Sequence, residues 1–99
     1  MIQNLSQLKR ALAAGRPFLV EEHYIKPEYN GQYRIVQKMQ TNGMYTGIYK
    51  QPDAELSKVN GGKGMWLAFG KASDWTFNAD GSCEQTAHGY PVWKIRVLD

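Results

Sequence analysis

Arg34, Lys38, Tyr45 and Tyr49 flank an Asn42-Gly43 pair. Asn-Gly is the strongest short-range signal for a two-residue type I′ turn, because both positions need φ > 0. With those two residues as the loop, Thr41 faces Met44, Gln40 faces Tyr45, Lys38 faces Gly47 and Val36 faces Tyr49. Side chains alternate across a strand. Tyr33, Ile35, Met39, Met44 and Ile48 then share one face, which reads as core, and Arg34, Val36, Lys38, Gln40, Tyr45 and Tyr49 share the other. Tyrosine rings stack on bases and cations contact phosphates, a combination used by single-strand binders and by RNA-binding sheets. Tyr and Arg are also enriched at protein interfaces, and a solvated sheet face carries Tyr and Lys with no partner at all. Lys63, Lys94 and Arg96 are further candidate phosphate contacts.

Other reactive types are sparse. Asn60-Gly61-Gly62-Lys63-Gly64 has the glycines of an anion-cradling loop, but a P-loop needs wider glycine spacing, a Ser or Thr after the Lys, and then a helix. Glycine N–H groups with Lys63 are left as a weaker way to meet an anion. His23, His88 and Cys83 lack the spacing of a metal site. A Cys83–His pair has no local signature of a nucleophile and base, and a lone strand cysteine is usually a small packed hydrophobe. Ser73-Asp74 reads as turn chemistry, and Glu21-Glu22 point to opposite strand faces. Trp66, Trp75 and Trp93 read as packing residues, with one of them available as a stacking platform. No catalytic residue, metal site or cofactor is expected. A small enzyme would need a pocket joining Cys83 to a histidine.

The elements that must position these residues are short. Residues 4–14 read as a helix, with Asn4 as N-cap, Gln7 three positions on, Leu5, Leu8 and Leu12 as an apolar stripe, and Gly15 and Pro17 as the stop. Residues 18–25 read as a strand, 26–31 as a turn, and 32–40 with 44–50 as the hairpin. Residues 51–64 form a long loop in which Pro52 can open one helical turn through Leu56. Strands follow at 65–69, at 75–78 paired with 83–86 around Asp80-Gly81, and at 91–98, with Trp93, Ile95 and Val97 on one face and Lys94 and Arg96 on the other. One helix before about six strands predicts an α+β fold: the helix packed on a strongly bent antiparallel sheet or a small SH3/OB-like β-barrel. Residues 1–99 read as one domain, its β-rich body spanning 17–98.

Hydrophobic residues at 42% and charged residues at 21% exclude a disordered chain. The net charge of +3 permits an acidic or nucleic-acid partner without demanding one. A single cysteine rules out an internal disulfide. Neither a leader pattern nor an apolar run of membrane-span length occurs, so a cytoplasmic location with no membrane contact is expected.

The stretches QTNGMY (Gln40–Tyr45), GGKGMWLAFG (Gly61–Gly70) and KASDW (Lys71–Trp75) resemble short uncharacterised proteins of bacterial phages and conjugative elements. That resemblance implies a small accessory protein rather than a metabolic enzyme, and it transfers no catalytic residue. The expected function is a non-enzymatic binding module contacting nucleic acid through the basic, tyrosine-bearing face. The alternative is a protein-interaction adaptor or inhibitor encoded by a mobile element.

Overall fold

The helix starts and stops where its caps dictate. In the computed structural model α1 spans Leu5–Ala13, and Asn4 Oδ1 accepts the Gln7 N–H at 2.9 Å. Gln7 Oε1 reaches back to the Gln3 N–H at 2.7 Å, so two of the helix entry's N–H groups find side-chain acceptors. At the other end the Gly15 N–H donates to Leu12 O at 3.1 Å and the Arg16 N–H to Ala11 O at 3.3 Å. These two bonds make a Schellman cap, which needs the left-handed φ of +92° that Gly15 adopts. Leu5, Leu8 and Leu12 are buried, and Lys9 sits 4.8 Å over the Phe69 ring.

The described residues are 1–50, the backbone of 55–57, and 65–98. They form eight strands: β1 (Phe18–His23), β2 (Tyr33–Met39), β3 (Gly43–Lys50), β4 (Glu55–Ser57), β5 (Met65–Ala68), β6 (Trp75–Phe77), β7 (Ser82–Ala87) and β8 (Tyr90–Val97). Every pairing is antiparallel, in the order β4-β3-β2-β1-β8-β7-β6, with β5 paired to β3 beside β4. The α+β expectation holds, with eight strands rather than about six. The strand that the sequence reading lacked is β4, which lies where a helical turn from Pro52 was expected to run, whereas the β6–β7 hairpin forms around Asp80-Gly81 as expected.

The sheet is open: among the described residues β6 pairs only with β7, and β5 only with β3. Side chains bridge its ends instead. Gln85 Nε2 of β7 donates to Ala68 O at 3.0 Å, and Trp75 Nε1 of β6 donates to Phe69 O at 2.7 Å. The sheet therefore curls until its two ends meet around a core of Phe18, Val20, Met44, Leu67, Phe69, Trp75, Trp93 and Ile95, with the leucines of α1 packed on it. No helix among the described residues is long and apolar enough to cross a membrane.

The β2–β3 hairpin departs from its expected register. Gln40 N–H donates to Gly43 O at 2.9 Å, so Thr41 and Asn42 are the loop and Gly43 begins β3. Gly43 is needed for close approach: a Cβ there would lie 2.3 Å from Leu67 O of β5. A bulge between Val36 and Lys38 then adds one residue to β2. Moving the loop shifts the pairing without exchanging faces, whereas one inserted residue flips every side chain beyond it. Met44 of β3 is buried and Ile48 half-buried on the same side, as the sequence suggests, but in β2 Arg34 and Val36 turn inward while Tyr33 and Ile35 turn out and Met39 is exposed.

Candidate functional site

Three side chains line up across neighbouring strands on the outer face. Lys38 of β2 stands opposite Tyr45 of β3, and Tyr45 stands opposite Trp66 of β5. Tyr45 and Trp66 are 40% and 38% exposed, and their ring centroids are 4.9 Å apart with the planes tilted by 55°. Directly opposed aromatic residues on a sheet support each other, so the pair is held rather than free to fold away. Gly43 permits this: Trp66 Cζ2 would lie 2.4 Å from a Cβ at that position. Half-buried Tyr33, Ile35 and Tyr49 continue the same face by strand alternation. Neither Asp nor Glu occurs in β2, β3 or β5.

The other expected contact residues are drawn elsewhere. Arg34 is fully buried. Its Nε donates to Thr46 Oγ1 at 3.0 Å, its Nη2 to Thr46 O at 2.8 Å and its Nη1 to Gln32 Oε1 at 2.7 Å, with the guanidinium 5.7 Å over the Tyr29 ring. Burial pulls its pKa down, yet an arginine stays cationic at neutral pH. Arg34 is a structural clasp and not a contact residue. Arg96 Nε lies 3.1 Å from Glu21 Oε1, and its Nη2 lies 3.5 Å from Asp80 Oδ2. Lys94 is flanked by Glu22 on β1 and Glu84 on β7. Lys63 lies outside the described residues.

Asp80 is itself held as an anion. It accepts from Ser82 N–H at 2.9 Å and Ser82 Oγ–H at 2.6 Å, and these bonds, with Arg96 nearby, lower its pKa below the ordinary carboxylate value. The outer surface of β1, β8 and β7 is thus a neutralised lattice of acids and bases. A cleft of about 880 Å³ between α1 and the end of β8 is lined by Arg10, Arg16 and Arg96. Arg96 is committed there to Glu21 and Asp80, and Arg16 Nε donates to Leu98 O at 2.8 Å.

Among the described residues, Cys83 and His88 are not brought together as a nucleophile and base. Cys83 is buried, and burial pushes its thiol pKa up to about 11, so it carries negligible thiolate at neutral pH. His88 sits in the tight turn between β7 and β8, at the far end of β7 from Cys83, with φ of +53° followed by +81° at Gly89. This is a type I′ hairpin turn made by His-Gly, whereas the β2–β3 loop expected to be one has no positive φ at Thr41, Asn42 or Gly43. Asp74 Oδ2 accepts the Lys71 N–H at 2.9 Å and closes the turn before β6. Among the described residues no cluster of His, Cys, Asp and Glu could hold a metal ion.

Trp66 is the functional candidate that sequence reasoning passed over as packing. Its signal was present: Met65, Leu67 and Phe69 alternate into the core, which leaves Trp66 on the outer face. Trp75 and Trp93 are core residues whose Nε1–H groups bond to Phe69 O and Gln85 Oε1. Comparison with protein families, with curated proteins and with solved structures finds no match to this chain.

Proposed function

We propose that this chain is a small, non-enzymatic protein-interaction module whose contact surface is the outer face of β2, β3 and β5. The supporting observation is the exposed Tyr45–Trp66 pair, flanked by Tyr33, Ile35 and Tyr49 and bordered by Lys38. Aromatic residues at the centre of a patch, with charge depleted there and left at the rim, are the composition of a protein interface. The resemblance of the stretches containing Tyr45 and Trp66 to proteins of phages and conjugative elements supports an accessory role, as adaptor or inhibitor, for a mobile element.

Single-strand nucleic-acid binding is the second reading. It is favoured by the same stacked rings beside Lys38 on strands without an acidic residue. It is weakened because Arg34, Lys94 and Arg96 are spent inside the protein or against carboxylates. The test pairs affinity capture from the host with anisotropy titrations of single- and double-stranded DNA and RNA at low and moderate salt. The protein-partner reading expects one captured protein that disappears with Tyr45→Ala/Trp66→Ala, and no oligonucleotide binding. Salt-sensitive oligonucleotide binding lost in Lys38→Ala/Tyr45→Ala selects the second reading. Binding of either kind that survives loss of both rings removes this face as the site.

A further inference from the structure

His23 ends β1 and organises the connection to β2. Its Nδ1 accepts the Lys26 N–H at 2.9 Å and the Ile25 N–H at 3.3 Å. Its own backbone N–H donates to Asn30 Oδ1 at 2.6 Å, across the same connection. The ring lies between Tyr29, at 5.4 Å, and Trp93 of β8, at 5.6 Å. One imidazole nitrogen therefore closes the loop at its start, while its flanking rings seat it on the core.

An Nδ1 that accepts two N–H groups must present its lone pair, which requires the neutral imidazole with its proton on Nε2. A proton on Nδ1 sets a donor against two donors. Both bonds are then lost, and nearby backbone dipoles become repulsive. The facing charges reinforce this. Lys26 lies on the same loop, 5.9 Å over the Tyr29 ring, and Arg34 of β2 stands 5.7 Å over that ring. Glu28, in the short 3-10 turn Pro27–Tyr29, opposes them. On β8 the facing group is the uncharged Trp93 ring, while Lys94 points to the other face of the sheet, opposite Glu22.

We propose that His23 is a proton-operated latch: neutral, it holds the start of the 24–31 connection closed, and protonated, it releases that end while Gly31 stays bonded to Val20 O. Burial and Lys26 both lower its pKa, consistent with a closed state that excludes the proton. The released segment carries Tyr24 and Ile25, exposed apolar side chains whose place beside Val92 is set by the Tyr24 N–H bond to Val92 O at 2.8 Å. Acidification thus changes the presentation of an apolar surface at the end of β1 and β8. Lys38, Tyr45 and Trp66 take no part, so the latch stands or falls independently of the proposed contact face.

The test is an NMR pH titration that follows the His23 ring and the amide protection factors of Ile25 and Lys26. Asparagine places an acceptor oxygen where the imidazole has Nδ1 and cannot be protonated in this range, which makes His23→Asn the decisive variant. In the wild type His23 titrates below the ordinary histidine value as the Nε2–H tautomer. Lys26 protection falls about tenfold as it does so, the scale of one lost hydrogen bond. His23→Asn keeps that protection throughout, and His88→Asn behaves as wild type. Unchanged Lys26 protection through the His23 titration overturns the latch, as does the same pH response in His23→Asn.

Discussion

Removing the Arg34 side chain tests the assignment of that residue as a clasp. The guanidinium makes three hydrogen bonds, two to Thr46 of β3 and one to Gln32, and Thr46 Oγ1 in turn donates to Met65 O of β5 at 3.2 Å. One side chain thus ties β2 to β3 and, through Thr46, to β5, directly beneath Tyr45 and Trp66. Hydrogen bonds to a charged group contribute about 1.5 kcal/mol each at the low end. The Gln32 bond is partly exposed and water replaces it at little cost, so Arg34→Ala removes about 3 kcal/mol. For a domain of this size that lowers Tm by about 12–24 °C. Arg34→Met fills most of the space and leaves mainly the Thr46 carbonyl unpaired, a loss of about 1–2 kcal/mol. Arg34→Lys keeps the charge but loses the planar fork and buries a more strongly hydrated cation, so it ranks below Met. Lys38→Ala, two residues beyond Val36 and exposed, shifts stability by no more than about 0.5 kcal/mol. Urea and thermal denaturation followed by tryptophan fluorescence measure the series. Wild-type midpoints for Arg34→Ala, or Lys more stable than Met, would refute the clasp.

Gly43→Ala forces a shift at the β3–β5 pairing because the neighbouring Leu67 atom is backbone and cannot swing away. A loss of about 1–3 kcal/mol by urea denaturation is expected, while Gly15→Asn, at a C′ position that tolerates asparagine, should cost far less. Cys83 should resist an aromatic disulfide reagent at pH 8 in the native protein and react fully in denaturant; prompt native reaction would contradict its burial. The lowered pKa of His23 means that the unfolded chain takes up its proton first as pH falls. Its contribution to stability is complete above the unfolded value of 6.5 and is lost below it, so the urea midpoint should drop on acidification in the wild type and less in His23→Asn. Asp80, with its pKa lowered, acts in the same sense nearer pH 4: its contribution is present above the unfolded value of 3.8 and lost as pH falls through the folded one, so Asp80→Asn should flatten that acid limb.

Local signals were legible wherever one residue type decides a local geometry. Asn4 and Gly15 fixed the helix, Leu5, Leu8 and Leu12 its buried stripe, and the alternation of Trp93, Ile95 and Val97 the inner face of β8. The faces of β3 were also readable, which placed Tyr45 outside. The failure lay in β2, where the bulge at Gln37 has no composition signal and one extra residue exchanges Arg34 and Val36 with Tyr33 and Ile35. Nor was the use of Gly43 visible in its own neighbourhood. Asn-Gly signals a left-handed turn, but the constraint comes from β5, more than twenty residues away along the chain, and it claims the glycine for close approach. His88-Gly89 shows the converse, a type I′ turn built from a less common pair.

Pairing across the sheet, rather than the list of cations, determines what the surface can bind. Lys94 and Arg96 look like free phosphate contacts in the sequence because their strand carries no acid. The acids arrive laterally: Glu21 and Glu22 from β1, Glu84 and Asp80 from β7 and its preceding turn. β2, β3 and β5 themselves carry no acid, Glu55 of β4 meets β3 only at its end opposite Lys50, and what faces out is Lys38, Tyr45 and Trp66 with half-buried Tyr33, Ile35 and Tyr49. Screening weakens exposed ion pairs but leaves apolar contact largely intact. A partner bound by this face should therefore stay bound as salt is raised, whereas one held by a row of cations should leave. The salt dependence of the captured complex distinguishes the two on the unmodified protein, before any residue is changed.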